Sequence, residues 1–246
     1  MKPTVVITGV GKGFGKQLLS HLSRCYHVIG LTRSAVDIDQ LRSDSNIDKN
    51  NIDLHDIDVS KYDDVRLLME SYLSNDFYQI FGLINNAGVR SRMKFLDTTI
   101  SDFELVSSTN LFAPIHLVRL ILPYMVARQY GRIINISSIL STTALPELSA
   151  YSVSKAGMDG FTRSIATEFG EFGVTCNSIL PGFCETSYFE GFKAKTDLYQ
   201  MTLSRTPARR WGKDSELIGL CDLLLGPQGG YINGASIPVD GGWTAC

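Results

Sequence analysis

Tyr151 and Lys155 stand four residues apart in Tyr151-Ser152-Val153-Ser154-Lys155. The stretch reads as the start of a helix, so the two side chains share a face. A tyrosine hydroxyl ordinarily titrates at about 10, too high for a good base near neutrality. A neighbouring ammonium favours the phenolate. The pair therefore suits proton transfer, with the phenol as acid and base and the amine as the group that tunes it. The same spacing also arises by chance on helix surfaces, so its meaning depends on what accompanies it.

A second chemical pattern accompanies it. Thr8-Gly9-Val10-Gly11-Lys12-Gly13-Phe14-Gly15 follows the first strand-like run and precedes a helical pattern. Glycines let a backbone turn tightly and approach a pyrophosphate, and the following helix N-terminus offers free N–H groups to the negative charge. The second strand, Val28 to Leu31, runs into Thr32-Arg33-Ser34. An acid at its end would bind a ribose 2′-hydroxyl, whereas Arg33, with Lys12, suits a 2′-phosphate. The expected cofactor is therefore NADP(H). Asp37 and Asp39 oppose this, since either could fold back toward the ribose.

Strands are expected at 4–8, 28–31, 52–59, 80–85, 133–137, 175–180 and 235–239. Helices are expected at 14–25, 61–75, 101–129, 150–171 and 214–224, with Pro114 and Pro123 bending or dividing the third. Nearly continuous apolar strands alternating with helices imply an α/β fold, a doubly wound parallel sheet with helices on both faces. The chain is read as one dinucleotide-binding domain over 1–246, with a substrate-loop excursion at about 183–212.

Composition narrows the partners. The chain has 246 residues, 44% hydrophobic and 20% charged, with a formal net charge of −2. This gives no electrostatic reason to expect nucleic acid or an anionic membrane. Five cysteines, an odd count without a CxxC pair, argue against a disulfide framework or zinc site. His21, His27, His55 and His116 are scattered and form no ligand pattern, so no metal is expected. No signal-like segment precedes the first strand. The most apolar helical stretch, Leu117 to Ala127, is short for a bilayer. A soluble, cytoplasmic protein is expected.

The spacing Thr8-Gly9-xxx-Gly13-x-Gly15 resembles the cofactor loop of the short-chain dehydrogenase/reductase family. Asp58-Val59 resembles that family's adenine-contacting pair, and Asn85-Asn86-Ala87-Gly88 its segment after the fourth strand. Pro181-Gly182 and Thr186 stand where the family meets the nicotinamide. The resemblance covers the whole chain and implies a Rossmann-like fold. It further implies a tetrad of Asn110, Ser138, Tyr151 and Lys155, in which a backbone distortion lets Asn110 hold a water leading to Lys155. The implied reaction moves a hydride between nicotinamide and a carbonyl or secondary alcohol substrate. Homodimers or homotetramers, built on the long helices and the final strand, are also implied.

The substrate is less legible. Its pocket is expected from loops at Arg90 to Phe95, Leu140 to Leu148 and after Pro181. Tyr188, Phe189 and Phe192 either form a lid or simply pack the excursion. Arg90, Arg92 and Lys94 either meet an anion or form a solvated edge. Pro181-Gly182-Phe183-Cys184-Glu185-Thr186 resembles 3-oxoacyl-carrier-protein reductases, and Arg128 fits a carrier-docking cation, but Phe172 stands where a second is expected. A sugar, polyol or other small ketone stays open. A cofactor-binding regulator is the non-enzyme alternative. An epimerase or dehydratase would ordinarily carry a larger substrate domain.

Overall fold

The computed structural model describes residues 2–185, 189–194 and 196–245, with the side chains of 189 and 190 left aside. Seven strands carry the fold: β1 (Lys2–Thr8), β2 (His27–Thr32), β3 (Ile52–Asp56), β4 (Tyr78–Asn85), β5 (Gly131–Ile136), β6 (Val174–Pro181) and β7 (Ser236–Val239). They form one sheet in the order β3-β2-β1-β4-β5-β6-β7, and every pairing is parallel. The order reverses between β1 and β4, which opens a crevice at the carboxyl ends of those strands. The fold is the expected Rossmann-like, doubly wound one.

Side chains alternate along each strand, so each face of the sheet needs its own cover. Val5, Ile7 and Val28 pack under α1 (Gly13–Leu22), α2 (Ala35–Ser43) and α9 (Ile218–Leu225). Val6, Ile29 and Leu31 pack under α3 (Tyr62–Leu73), α5 (Ala113–Ala127) and α6 (Ser149–Phe169). The remaining helices are α4 (Ile100–Ser107), α7 (Phe189–Lys193) and α8 (Thr196–Arg205).

Two expectations are corrected. The third strand ends at Asp56 rather than running to Val59. Asp58 instead closes a turn, its Oδ1 accepting from the Ser60 amide at 2.9 Å and hydroxyl at 2.7 Å. The long helix is divided next to Pro114, which stands in the first turn of α5, but not at Pro123. Its irregularity is a π-helical turn, Ser108–Phe112, between α4 and α5. Pro123 sits inside α5 without breaking it, on the exposed side where the carbonyl it fails to bond can meet water.

The helical run Ile100–Ala127 spans 28 residues and is, by length and composition, apolar enough to cross a membrane. This lengthens the stretch read from the sequence. Half of its 18-residue apolar window is buried in the fold, where Ala113, Leu117, Val118, Ile121 and Met125 cover the sheet.

Candidate functional site

The crevice at the switch point is a cleft of about 860 Å³. At one end lies the glycine turn. Gly9 has φ +72°, and a Cβ there would come within 2.8 Å of Ala87 Cα. A Cβ on Gly15 would lie 2.0 Å from the Gly9 carbonyl oxygen. Gly13 has φ +53°, the left-handed region that glycine enters freely. These positions allow the turn to pack against β4 and to present backbone rather than side chain to the cleft. The N-terminus of α1 then opens onto it: Lys12 is the cap residue, no side chain caps the helix, and its first turn has no acid. Unclaimed N–H groups in that position suit a pyrophosphate. The residues present fit a dinucleotide.

Thr8 and Asn86 explain why two motifs lying far apart in the chain belong together. Thr8 Oγ1 accepts from the amides of Asn86 at 3.0 Å and Ala87 at 2.9 Å. Asn86 Nδ2 donates to the carbonyls of Thr8 and Gly9, both at 3.0 Å. The ends of β1 and β4 are thus clasped on both sides of the crevice. Gly11, Lys12, Phe14, Arg33, Asp58, Val59, Ala87, Gly88, Pro181 and Gly182 all line the cleft.

The end of the cleft beside β2 has mixed charge. Arg33 is exposed beside the cleft. Burial pushes the Asp58 carboxyl up, but bonds from Ser60 and the charges of Arg33 and Lys61 outweigh it and hold Asp58 below the usual range. Asp37 folds back toward the glycine turn, one of the two outcomes left open by the sequence. A Cβ on Gly11 would lie 2.2 Å from its carboxylate and 2.8 Å from Thr32 Oγ1.

At the other end, α6 places Tyr151 and Lys155 on the cleft, opposite Ser138 at the end of β5. Lys155 is buried, with Nζ donating to the Ile136 carbonyl at 2.6 Å and lying 5.7 Å from the Tyr151 ring centroid. Burial lowers its amine to about 8, against an upward pull from Asp159. Ser138 Oγ accepts from the Leu140 amide at 3.1 Å. Ser137 Oγ turns the other way and donates to the Lys155 carbonyl at 3.2 Å.

Asn110 stands behind this wall in the π turn. Its Oδ1 accepts from the Val89 amide at 2.8 Å, and its Nδ2 donates to the Val89 carbonyl at 2.9 Å and to Ser154 Oγ at 3.1 Å. Pro114 has no N–H, so the Asn110 carbonyl lacks its ordinary helical donor four residues on.

The family model described as enoyl-(acyl carrier protein) reductase matches residues 13–244. The chain belongs to the short-chain dehydrogenase/reductase family. A gluconate 5-dehydrogenase of Gluconobacter oxydans is 30% identical over 240 residues, covering 97% of this chain and 93% of the relative. Among solved short-chain dehydrogenases, a gluconate 5-dehydrogenase from Burkholderia cenocepacia in complex with NADP and tartrate superposes with a TM-score of 0.91 at 26% identity, covering 99% of this chain and 96% of that one. A 4-hydroxyisoleucine dehydrogenase complexed with NADH superposes with a TM-score of 0.91 at 28% identity, covering 99% of both.

Thr186 and Tyr188, expected at the nicotinamide and in a lid, lie outside the described residues, as does the Phe189 side chain. Phe192 both lines the cleft and packs on Trp211 and Phe183, with ring centroids at 5.0 and 5.8 Å. Phe183 and Trp211 were not singled out from the sequence. An aromatic directly after Pro181-Gly182, at a strand's carboxyl end, is the signal that could have found the first. Nothing marks the second. Arg92 is also placed: its Nε donates to Glu147 Oε2 at 2.7 Å, joining the loops after β4 and β5.

Proposed function

We propose that this chain is an NADP(H)-dependent oxidoreductase that moves a hydride between nicotinamide and a carbonyl or secondary alcohol carbon, with Tyr151 as its acid and base. One observation carries the reading: Ser138, Tyr151 and Lys155 line the same cleft as the glycine turn. Arg33 and Lys12 at the adenosine end, and NADP in the Burkholderia cenocepacia relative, support the choice of cofactor.

When bound, the cofactor supplies or takes the hydride. The hydroxyls of Ser138 and Tyr151 donate to the substrate carbonyl oxygen and stabilise the charge that develops there. Tyr151 gives its proton to the new alkoxide. Lys155, charged below about 8, favours the resulting phenolate. It spends one of three donors on Ile136 and keeps two for the cofactor ribose. Pro114 offers no N–H to the Asn110 carbonyl, which leaves it to a water that returns the proton toward Lys155.

The test is NADPH oxidation, followed by absorbance, across a panel of carbonyl compounds. Carbonyl-dependent oxidation is expected. NADPH binding without turnover of any carbonyl would favour a regulatory cofactor-binding protein instead. A 3-oxoacyl-carrier substrate is the alternative within the panel. Arg128 at the end of α5 favours it, and Phe172, in place of a cation, opposes it.

Assembly is proposed as a homodimer or homotetramer. Leu105, Phe112 and Val153 expose apolar side chains along α4, the π turn and α6, which suits a second copy. Free thiols at Cys25, Cys176, Cys184 and Cys221 suit the cytoplasm.

A further inference from the structure

Beyond Tyr151 and Ser138 the cleft wall turns apolar. Leu140, Leu145 and Leu148 line it after β5, and Phe183, Phe192 and Trp211 after β6. Phe183 centres a cluster of rings, 5.2 Å from Trp211 and 4.8 Å from Trp243. Trp211 commits its N–H to Thr202 Oγ1 at 2.8 Å, so its remaining surface is hydrocarbon. Tyr151 itself packs against the cluster formed by Ile139, Leu140, Leu148 and Trp243.

Polar groups at this end are few, and the exposed Arg90 is among those that line the cleft. Ser137 donates to the Lys155 carbonyl at 3.2 Å, and the hydroxyls of Ser138 and Tyr151 are those the reacting oxygen requires. Cys184 is held as a neutral thiol, pushed up to about 12 by burial and by Asp214 and Glu216. Arg92 at the rim is paired with Glu147, whose carbonyl also accepts from the Met93 amide at 2.9 Å. A hydroxyl placed against these leucines and aromatic rings loses water and gains no partner from them, whereas each buried methylene is favourable. The family likeness does not decide the matter, since gluconate and 4-hydroxyisoleucine differ in just this respect.

We infer that the substrate is a ketone, or its secondary alcohol, whose body beside the reacting carbon is alkyl or aryl rather than polyhydroxylated. The inference rests on the oxidoreductase reading above and narrows it. The test compares kcat/KM with NADPH for aryl and branched alkyl methyl ketones against 5-ketogluconate and tagatose. The same assay is run on Leu145→Asn and Phe192→Ser, with NADPH affinity read by fluorescence.

The apolar series is expected to exceed the polyols by about 100-fold. Each variant is expected to cut that rate by about tenfold while leaving NADPH affinity within about twofold. Polyols turned over as well as the apolar ketones would overturn the inference and leave the oxidoreductase reading intact. NADPH binding with no turnover of either series would overturn both. The wild-type comparison decides the matter even if a variant fails to fold.

Discussion

Lys155 Nζ and the Ile136 carbonyl, 2.6 Å apart, tie the start of α6 to the last residue of β5. Ser138 follows two residues after Ile136, and Tyr151 precedes Lys155 by one helical turn. A single hydrogen bond thus joins the two segments that carry the candidate hydroxyls. Phe at 151 preserves the ring's packing against Leu140 and Leu148 and removes only the hydroxyl. Tyr151→Phe is expected to lower kcat by about 10²–10⁴-fold, the usual yield of a positioned acid. NADPH affinity, measured by fluorescence, should change little. Appreciable residual turnover would show that another group supplies the proton.

Asn110 joins three elements through one amide: the loop after β4 at Val89, the π turn, and α6 at Ser154. Asn110→Ala would strand the Val89 amide and carbonyl. A loss of about 1–3 kcal/mol is expected for each polar group left without a partner. Thermal melts should show it as a fall of about 2–4 °C per kcal/mol. A variant as stable as the parent would mean that the Val89 loop finds other partners.

The strands were legible because buried parallel strands need apolar runs, and such runs stand out. β3 was overextended for the same reason. Ile57 and Val59 continue the apolar pattern, while Asp58 between them takes up the Ser60 turn. The distortion at Asn110 was legible only through the family resemblance, and it takes the form of a π turn with Pro114 in the first turn of the helix that follows. The cofactor end was readable because the clasp of Thr8 with Asn86 demands particular residue types. The substrate end was not. Phe183 and Trp211 meet through the bridge between Cys184 and Gly212, and Arg92 meets Glu147 across 55 residues of chain. No spacing rule announces either pairing.

Charge at the adenosine end should govern cofactor choice. Arg33→Asp with Lys12→Ala removes two cations that suit a 2′-phosphate. The NADPH:NADH ratio of kcat/KM is expected to fall by about 10²-fold, as the loss of two charge-assisted hydrogen bonds implies. Asp37→Asn should act in the opposite direction. Its carboxylate sits against Gly11 and Thr32, where it repels a phosphate and can accept from a ribose hydroxyl. An unchanged ratio in the double variant would exclude these cations as the selectors.

Lys155 and Asp159 lie one turn apart on the buried face of α6, and Asp159 Oδ1 is buried without a hydrogen-bond partner among the described residues. Burial disfavours the ammonium and the Asp159 charge favours it, with a balance at about 8 against the ordinary 10.5. In the free protein, NMR of ¹³C-labelled lysine should therefore show one side chain charged below about 8 and neutral above it, well before the others titrate. Lys155→Arg should remove that signal. Asp159→Asn takes away the supporting charge, so the midpoint should move to lower pH. Because the unfolded lysine holds its proton more tightly, burying Lys155 costs stability at neutral pH, and that cost should ease as pH rises from about 8 toward 10.5. An unmoved or raised midpoint in Asp159→Asn would show that the carboxylate does not reach the amine, leaving burial alone to set its proton affinity.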